Sequence, residues 1–329
     1  MIKGDYGKYE PSDVAVFAQK TGIHTEKLPD TAVQTYIGST EQPENENITF
    51  TAKIPEGWRI NSFSRLIHSS SAGVRDTDQF TSKVKEDPNE KILDIFSFPK
   101  GAKAGTCLHE IMESVHFDSY SKFSVLDSVQ EKLTKYSFDT DFAPAVADNI
   151  ISIIEKDMDG VKLCELERGK YIHEMEFQLS TSRFTSEKVA EIFADNGEAD
   201  YAKAASILSF EAMQGFMNGF ADLIFEHDGK YYILDWKSNH LGSETGAYSF
   251  ENMHTEMLGS HYYMQMYIYT LALHMHLQRM VPDYRYDTHM GGGIYVFMRG
   301  VNGQGEEGLY IHRPKAKTIQ QLEKLVRRS

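Results

Sequence analysis

Two β-rich runs, Gly219–His227 and Lys230–Asn239, flank the dipeptide Asp228-Gly229. Asp-Gly between such runs is among the strongest short-range hairpin signals, because both turn residues must adopt positive φ. With Asp228 and Gly229 at the turn centre, His227 faces Lys230. Counting outward, Asp222 faces Asp235 on a non-hydrogen-bonded rung, where side chains come closest. Like charges directly opposite each other are destabilising. Lys237 lies two residues past Asp235 and therefore on the same sheet face. Two acids and a lysine on one face of apolar strands fit a metal-dependent phosphodiesterase.

A buried salt-bridge triad is the competing reading of Asp222, Asp235 and Lys237. It leaves one carboxylate uncompensated, and an unpaired buried charge is costly. A divalent cation removes that difficulty, since hard ions such as Mg²⁺ take carboxylate, water and phosphate oxygens. The spacing therefore favours a metal site, in which the lysine orients or deprotonates a water and stabilises charge on phosphate. Asp-x-Lys alone is a common tripeptide and carries little weight.

The rest of the chain bounds this reading. No apolar run reaches the length of a membrane span, and the N-terminus opens no signal core. Cys107 and Cys164 are the two cysteines; they suit a reducing cytoplasm and read as two buried free thiols. A net charge of −14 opposes nucleic-acid binding in general, so a DNA partner requires a locally positive channel or a helper subunit. Phosphate-loop, Gly-x-Gly-x-x-Gly, His-Glu-x-x-His and Gly-x-Ser-x-Gly motifs are absent, so ATP hydrolysis is not expected of this chain.

Residues 1–55 read as a polar arm and 56–329 as the main domain. Ser62 suits a helix N-cap, and residues 70–90 read as a mobile loop. Leu108, Ile111, Met112 and Val115 follow helical periodicity within a helix over 104–117. Helices are also expected over 124–136, 143–156, 251–279 and 318–326. Strand character is expected over 161–179 and 291–299. The order predicts an α/β sheet flanked by helices, with extra helices inserted ahead of the hairpin.

His109 borders the stripe of the first helix. Alone it reads as a structural histidine; beside the two aspartates its neutral imidazole becomes a third ligand. Glu113, one turn later, reads as solvated or as a hydrogen-bond partner of a ligand. Tyr262, Gln265 and Tyr269 share one helix face. They form either a core stripe with a polar interruption or a groove lining that binds phosphates or stacks on bases.

Taken in order, these motifs resemble the C-terminal nuclease region of the RecB family, the beta chain of exodeoxyribonuclease V, within the PD-(D/E)XK nucleases. The resemblance runs from about Trp58 to the C-terminus. It is carried by Gly105-Thr106-x-Leu108-His109, Glu174-Met175-Glu176-Phe177 and Gly219-Phe220-x-Asp222-Leu223-x-Phe225. It continues through Gly229-x-Tyr231-Tyr232-x-Leu234-Asp235-x-Lys237-Ser238-Asn239, Gln265-x-x-x-Tyr269, Gly292-x-Ile294-Tyr295-x-Phe297-x-Arg299-Gly300-Val301 and Arg313-Pro314. Ala221 replaces the superfamily's proline, and Trp236 stands where tyrosine is expected.

The resemblance implies a mixed β-sheet of restriction-endonuclease type flanked by helices. It implies a deoxyribonuclease with Asp222, Asp235, His109 and the backbone carbonyl of Trp236 as metal ligands and Lys237 as the catalytic lysine. Gln265 and Tyr269 would form the helix motif beside the site, while Glu174 and Glu176 match a motif without an assigned role. It further implies one Mg²⁺ per site, with Mn²⁺ as a substitute and Ca²⁺ binding without turnover. Expected partners are DNA (single-stranded ends), RecC- and RecD-like subunits, a helicase motor and the recombinase RecA, all cytoplasmic and serving double-strand break repair. The motor is absent from this sequence, so either a C-terminal piece of a longer protein, the favoured reading, or a stand-alone nuclease is expected. A non-catalytic module of the same fold, guiding DNA or docking partners, is the alternative; it is disfavoured because the acid–lysine set is complete.

Overall fold

A computed structural model describes residues 58–62, 93–208 and 213–327 of the chain. The expected arm over 1–55 and loop over 70–90 lie outside them. Six strands form one mixed sheet: β1 (Trp58–Ser62), β2 (Tyr171–Phe184), β3 (Met213–His227), β4 (Lys230–Lys237), β5 (Met290–Phe297) and β6 (Leu309–His312). The order is β1-β3-β4-β5-β6, with β2 also paired to β3.

The β3–β4 turn forms as predicted, with φ of 49° at Asp228 and 73° at Gly229. His227 pairs with Lys230, and the register runs to Leu223 opposite Leu234. There it ends, one rung short of the two aspartates. The opposite facing of Asp222 and Asp235 is thus replaced by a divergence of the strands. Beyond it, β3 takes β1 as a parallel neighbour from Gln214 to Asn218. Residues 219–222 therefore form a gap between two different partners. The C-terminal ends of β1 and β4 approach that gap from opposite directions.

Helices cover both faces. The first group is α1 (Ala102–Ser114), α2 (Lys122–Lys135) and α3 (Ala143–Glu155). It packs Leu108, Ile111, Val129 and Ile150 against Leu223, Leu234 and Trp236. The second is α4 (Ser186–Asp195), α5 (Ala199–Ile207), α6 (Phe250–Gly259), α7 (Tyr262–Met280), α8 (Tyr286–His289) and α9 (Ala316–Val326). In that group, Val189, Tyr267, Leu271 and Ile319 pack with Met217, Ala221 and Ile233. Strand β5, parallel to β4 and buried almost throughout, is a central strand of the kind whose alternation disappears.

Several expectations need correction. The single helix over 251–279 is two, α6 and α7, broken at Ser260 and His261. His261 has φ 57°, a left-handed conformation that an α-helix cannot contain. The strand expected from 161 begins at Tyr171, after a 3₁₀ turn at Leu163–Glu165. Ser62 ends β1 rather than starting a helix within the described residues. Both cysteines are free, but only Cys107 is fully buried. Helices α4 and α5 and strand β6 were not anticipated.

Candidate active site at the gap in the sheet

Four elements converge on the gap. Strand β3 ends its pairing with β4 at Leu223, so the Trp236 N–H would lose its ladder acceptor. The Asp222 carboxylate takes that place, with Trp236 N donating to Asp222 Oδ2 at 2.8 Å. Helix α1 brings His109 Nδ1 to 3.5 Å from the same Oδ2. Strand β4 contributes Asp235 and Lys237, both buried, with Lys237 Nζ 2.5 Å from Asp235 Oδ1. His109, Asp222, Asp235, Trp236 and Lys237, from distant parts of the chain, are thus brought together.

Helix α7 holds the lysine from the other side. Lys237 Nζ donates to Gln265 Oε1 at 2.9 Å, and Gln265 Nε2 donates to the Tyr269 hydroxyl at 3.1 Å. The Tyr262 ring lies 3.8 Å from the ammonium and the Tyr295 ring 5.1 Å, within the range of cation–π attraction. Asn239 fixes Tyr262 through its hydroxyl, and Glu256 Oε1 accepts from Asn239 Nδ2 at 2.9 Å. Tyr262 therefore serves the lysine with its ring instead of only lining a groove. Tyr269 leans on Phe177 with ring centroids 4.9 Å apart. Gly219 makes room for both, since a Cβ there would fall 2.3 Å from Phe177 Cζ and 3.1 Å from Tyr269 Cε1.

Sequence reasoning missed Glu256, and it named Tyr295, Asn239 and Arg299 only as motif residues without a role at the site. Tyr295 is the register partner of Asp235 across the parallel β4–β5 pair; an unbroken buried run hid which residue would face the acid. Arg299, only 1% exposed, follows β5. It donates to the carbonyls of Ser238 (3.0 Å), Ile95 (2.7 Å), Phe98 (2.9 Å) and Pro99 (2.6 Å). It thereby ties the segment leading into α1 to the end of β4. Glu113 is not simply solvated: burial, then the negative charge of the neighbouring Glu174, pushes its pKa up.

The electrostatics mark a site short of positive charge. Burial, and then Asp235, hold the Asp222 carboxyl well above the usual carboxylate range. Burial lowers the His109 pKa, and the nearby acids only partly offset this, so the imidazole is neutral with a lone pair free to coordinate. Burial would lower Lys237 as well, but Asp235, Tyr262 and Asp222 outweigh it and hold the ammonium above its ordinary value. The donor set of carboxylate oxygens, a neutral imidazole and a backbone carbonyl suits a divalent cation. Among the described residues no three His, Cys, Asp or Glu side chains enclose a point at ligating range as they stand. Lys237 supplies the positive charge to Asp235 in this arrangement.

Asp222 offers a stability test. Its raised pKa means that its stabilising contribution is present below the ordinary carboxylate pKa and is lost as pH rises through the shifted value. Asp222→Asn keeps an acceptor for the Trp236 N–H and removes the charge. With chelator present, the variant is expected to melt a few degrees above wild type at neutral pH, and the difference is expected to shrink on acidification. An equal melting temperature at all pH values in thermal unfolding would contradict this account.

The comparisons agree with the geometry. The family model of the PD-(D/E)XK nuclease superfamily matches residues 89–328. The chain is similar to the RecBCD enzyme subunit RecB of Haemophilus influenzae, at 32% identity over 89% of this chain and 25% of that protein. The RecB subunit of Escherichia coli is 31% identical over 97% of this chain and 28% of its own length, and that of Mycobacterium tuberculosis 25% identical over 77% and 26%. The chain thus spans about a quarter of these relatives. With a mixed sheet, flanking helices and an acid–lysine set at the strand divergence, the chain belongs to the PD-(D/E)XK nuclease superfamily.

Proposed function

We propose that this chain is the nuclease part of a RecBCD-type enzyme and hydrolyses DNA phosphodiester bonds at the gap between β3 and β4. The observation that supports it most is the meeting of Asp222, Asp235, His109 and Lys237 at one point of strand divergence. PD-(D/E)XK nucleases generally use divalent metal ions. Here His109, Asp222, Asp235 and the Trp236 carbonyl would hold one, with Mg²⁺ the proposed ion. Bound there, such an ion supplies an activated water and positive charge against the phosphate.

The chain's own groups do the rest. Lys237, held above its ordinary pKa chiefly by Asp235, donates to a phosphate oxygen and stabilises the charge that develops on it. Gln265 fixes the direction of the Lys237 side chain, and Tyr262 and Tyr295 keep the ammonium on the side facing Asp235. The acidic surface calls for a companion motor and RecC- and RecD-like subunits to hold the strand, in the setting of double-strand break repair. No helix of the described residues is long and apolar enough to cross a membrane.

The test is degradation of linear single-stranded DNA at low salt, with Mg²⁺ or with chelator, by wild type and Lys237→Ala. Cutting by wild type alone, and only with the cation, is the expected result. Equal cutting by both proteins would remove the proposed site.

A further inference from the structure

Phe220 is a large aromatic residue that the fold does not bury. The residue is 51% exposed, although it lies in the middle of β3. Its neighbours Gly219 and Ala221 face α7: a Cβ on Gly219 would meet Phe177 and Tyr269, and Ala221 packs in the α7 cluster. Alternation then turns Phe220 to the opposite side. Asp222 is reached on that side by His109 of α1. Two residues along a strand are about 7 Å, so Phe220 adjoins Asp222. The β1 pairing stops at Asn218 and the β4 pairing at Leu223, so Phe220 stands in the mouth of the gap.

Resting on the nuclease reading above, we propose that Phe220 is the stacking platform for the nucleobase next to the scissile phosphate of a single DNA strand. The charges around it select a base over backbone. Glu176, exposed, lies directly across the β2–β3 ladder from Phe220, and its carboxylate repels phosphate. Glu174 is close enough to raise the Asp222 pKa. The acids therefore favour a neutral base over a phosphate at Phe220. Tyr262 does not substitute, because its ring is committed to the Lys237 ammonium at 3.8 Å. Stacking on an aromatic ring tolerates any base, which suits a strand cut without sequence reading. It also requires an unpaired base, so single strands are preferred over duplex at this point.

The test uses two fluorescent probes at low salt with chelator: an oligothymidylate and an oligomer of abasic deoxyribose phosphates of the same length. Phe220→Ala is expected to bind oligothymidylate about tenfold more weakly than wild type, with no change on the abasic probe. Phe220→Tyr retains the affinity, while Phe220→Leu, equally apolar without a ring, behaves like alanine. In Phe220→Trp, oligothymidylate quenches the new tryptophan and the abasic probe does not. Wild-type affinity in the leucine variant, or equal losses on both probes, overturns the proposal. Should those results come with cation-dependent cutting that Lys237→Ala abolishes, the nuclease reading stands without this role for Phe220. Binding of neither probe by wild type, and no cutting, removes both.

Discussion

Lys237→Ala is expected to reduce cleavage by at least about 10²–10³-fold and to leave the cation-free protein roughly 3–5 kcal/mol less stable. The two effects have one origin. Lys237 is the buried positive charge beside Asp235, at 2.5 Å, and its removal strands a carboxylate that is 2% exposed. Lys237→Met separates the contributions, because it restores the apolar stem between Tyr262 and Tyr295 and omits the charge. Methionine should recover part of the packing and none of the cleavage. Divalent cation should stabilise both variants more than wild type, since in each the Asp235 carboxylate has lost its ammonium. Thermal unfolding with and without Mg²⁺, run beside single-turnover cleavage, measures all of this. A wild-type melting temperature for Lys237→Ala in chelator would mean that Asp235 is paired some other way.

How much of this was legible in the sequence follows from the range of the interactions involved. Asp228-Gly229 sets the β3–β4 register by local backbone chemistry, and the register holds rung by rung to Leu223. The end of the ladder was not legible, because it depends on β1 taking the same strand edge from more than 150 residues earlier in sequence. That divergence converts Asp222 from a residue facing Asp235 into the acceptor of the Trp236 N–H. The grouping of Gln265 and Tyr269 on one face of α7 was legible from helical spacing. The cage was not, since Tyr295 reaches Lys237 only through the β4–β5 pairing. The break before α7 had a local signal, Gly259-Ser260, which apolar periodicity on both sides concealed. Helices α4 and α5 lie in an acidic stretch; for α4 the available signs were Val189 and Phe193 on one face and Thr185, which caps it by accepting from Lys188 N.

Arg299→Met is expected to cost on the order of 4 kcal/mol and, through geometry, most of the cleavage. The guanidinium meets carbonyls on both sides of the site: Ser238 directly after Lys237, and Ile95, Phe98 and Pro99 ahead of α1. Methionine fills much of the volume but leaves those buried acceptors without their donor, and each such loss costs about 1–3 kcal/mol. At roughly 2 °C per kcal/mol for a chain of this size, the melting temperature should fall by about 8 °C. Arg299→Lys is the more informative variant. A lysine keeps the charge, but its three donors radiate from one atom and cannot match the span of a planar fork. The fold should survive with a smaller loss while α1 and β4 slacken relative to each other, moving His109 away from Asp222. Displacements of about 1 Å at a reacting centre cost on the order of 10²-fold in rate. The distinguishing measurement is the Mg²⁺ concentration for half-maximal cleavage by Arg299→Lys. A rise, with partial recovery of rate at saturating Mg²⁺, locates the defect in the placement of His109. An unchanged half-maximal concentration would mean that Arg299 stabilises the fold without positioning the site.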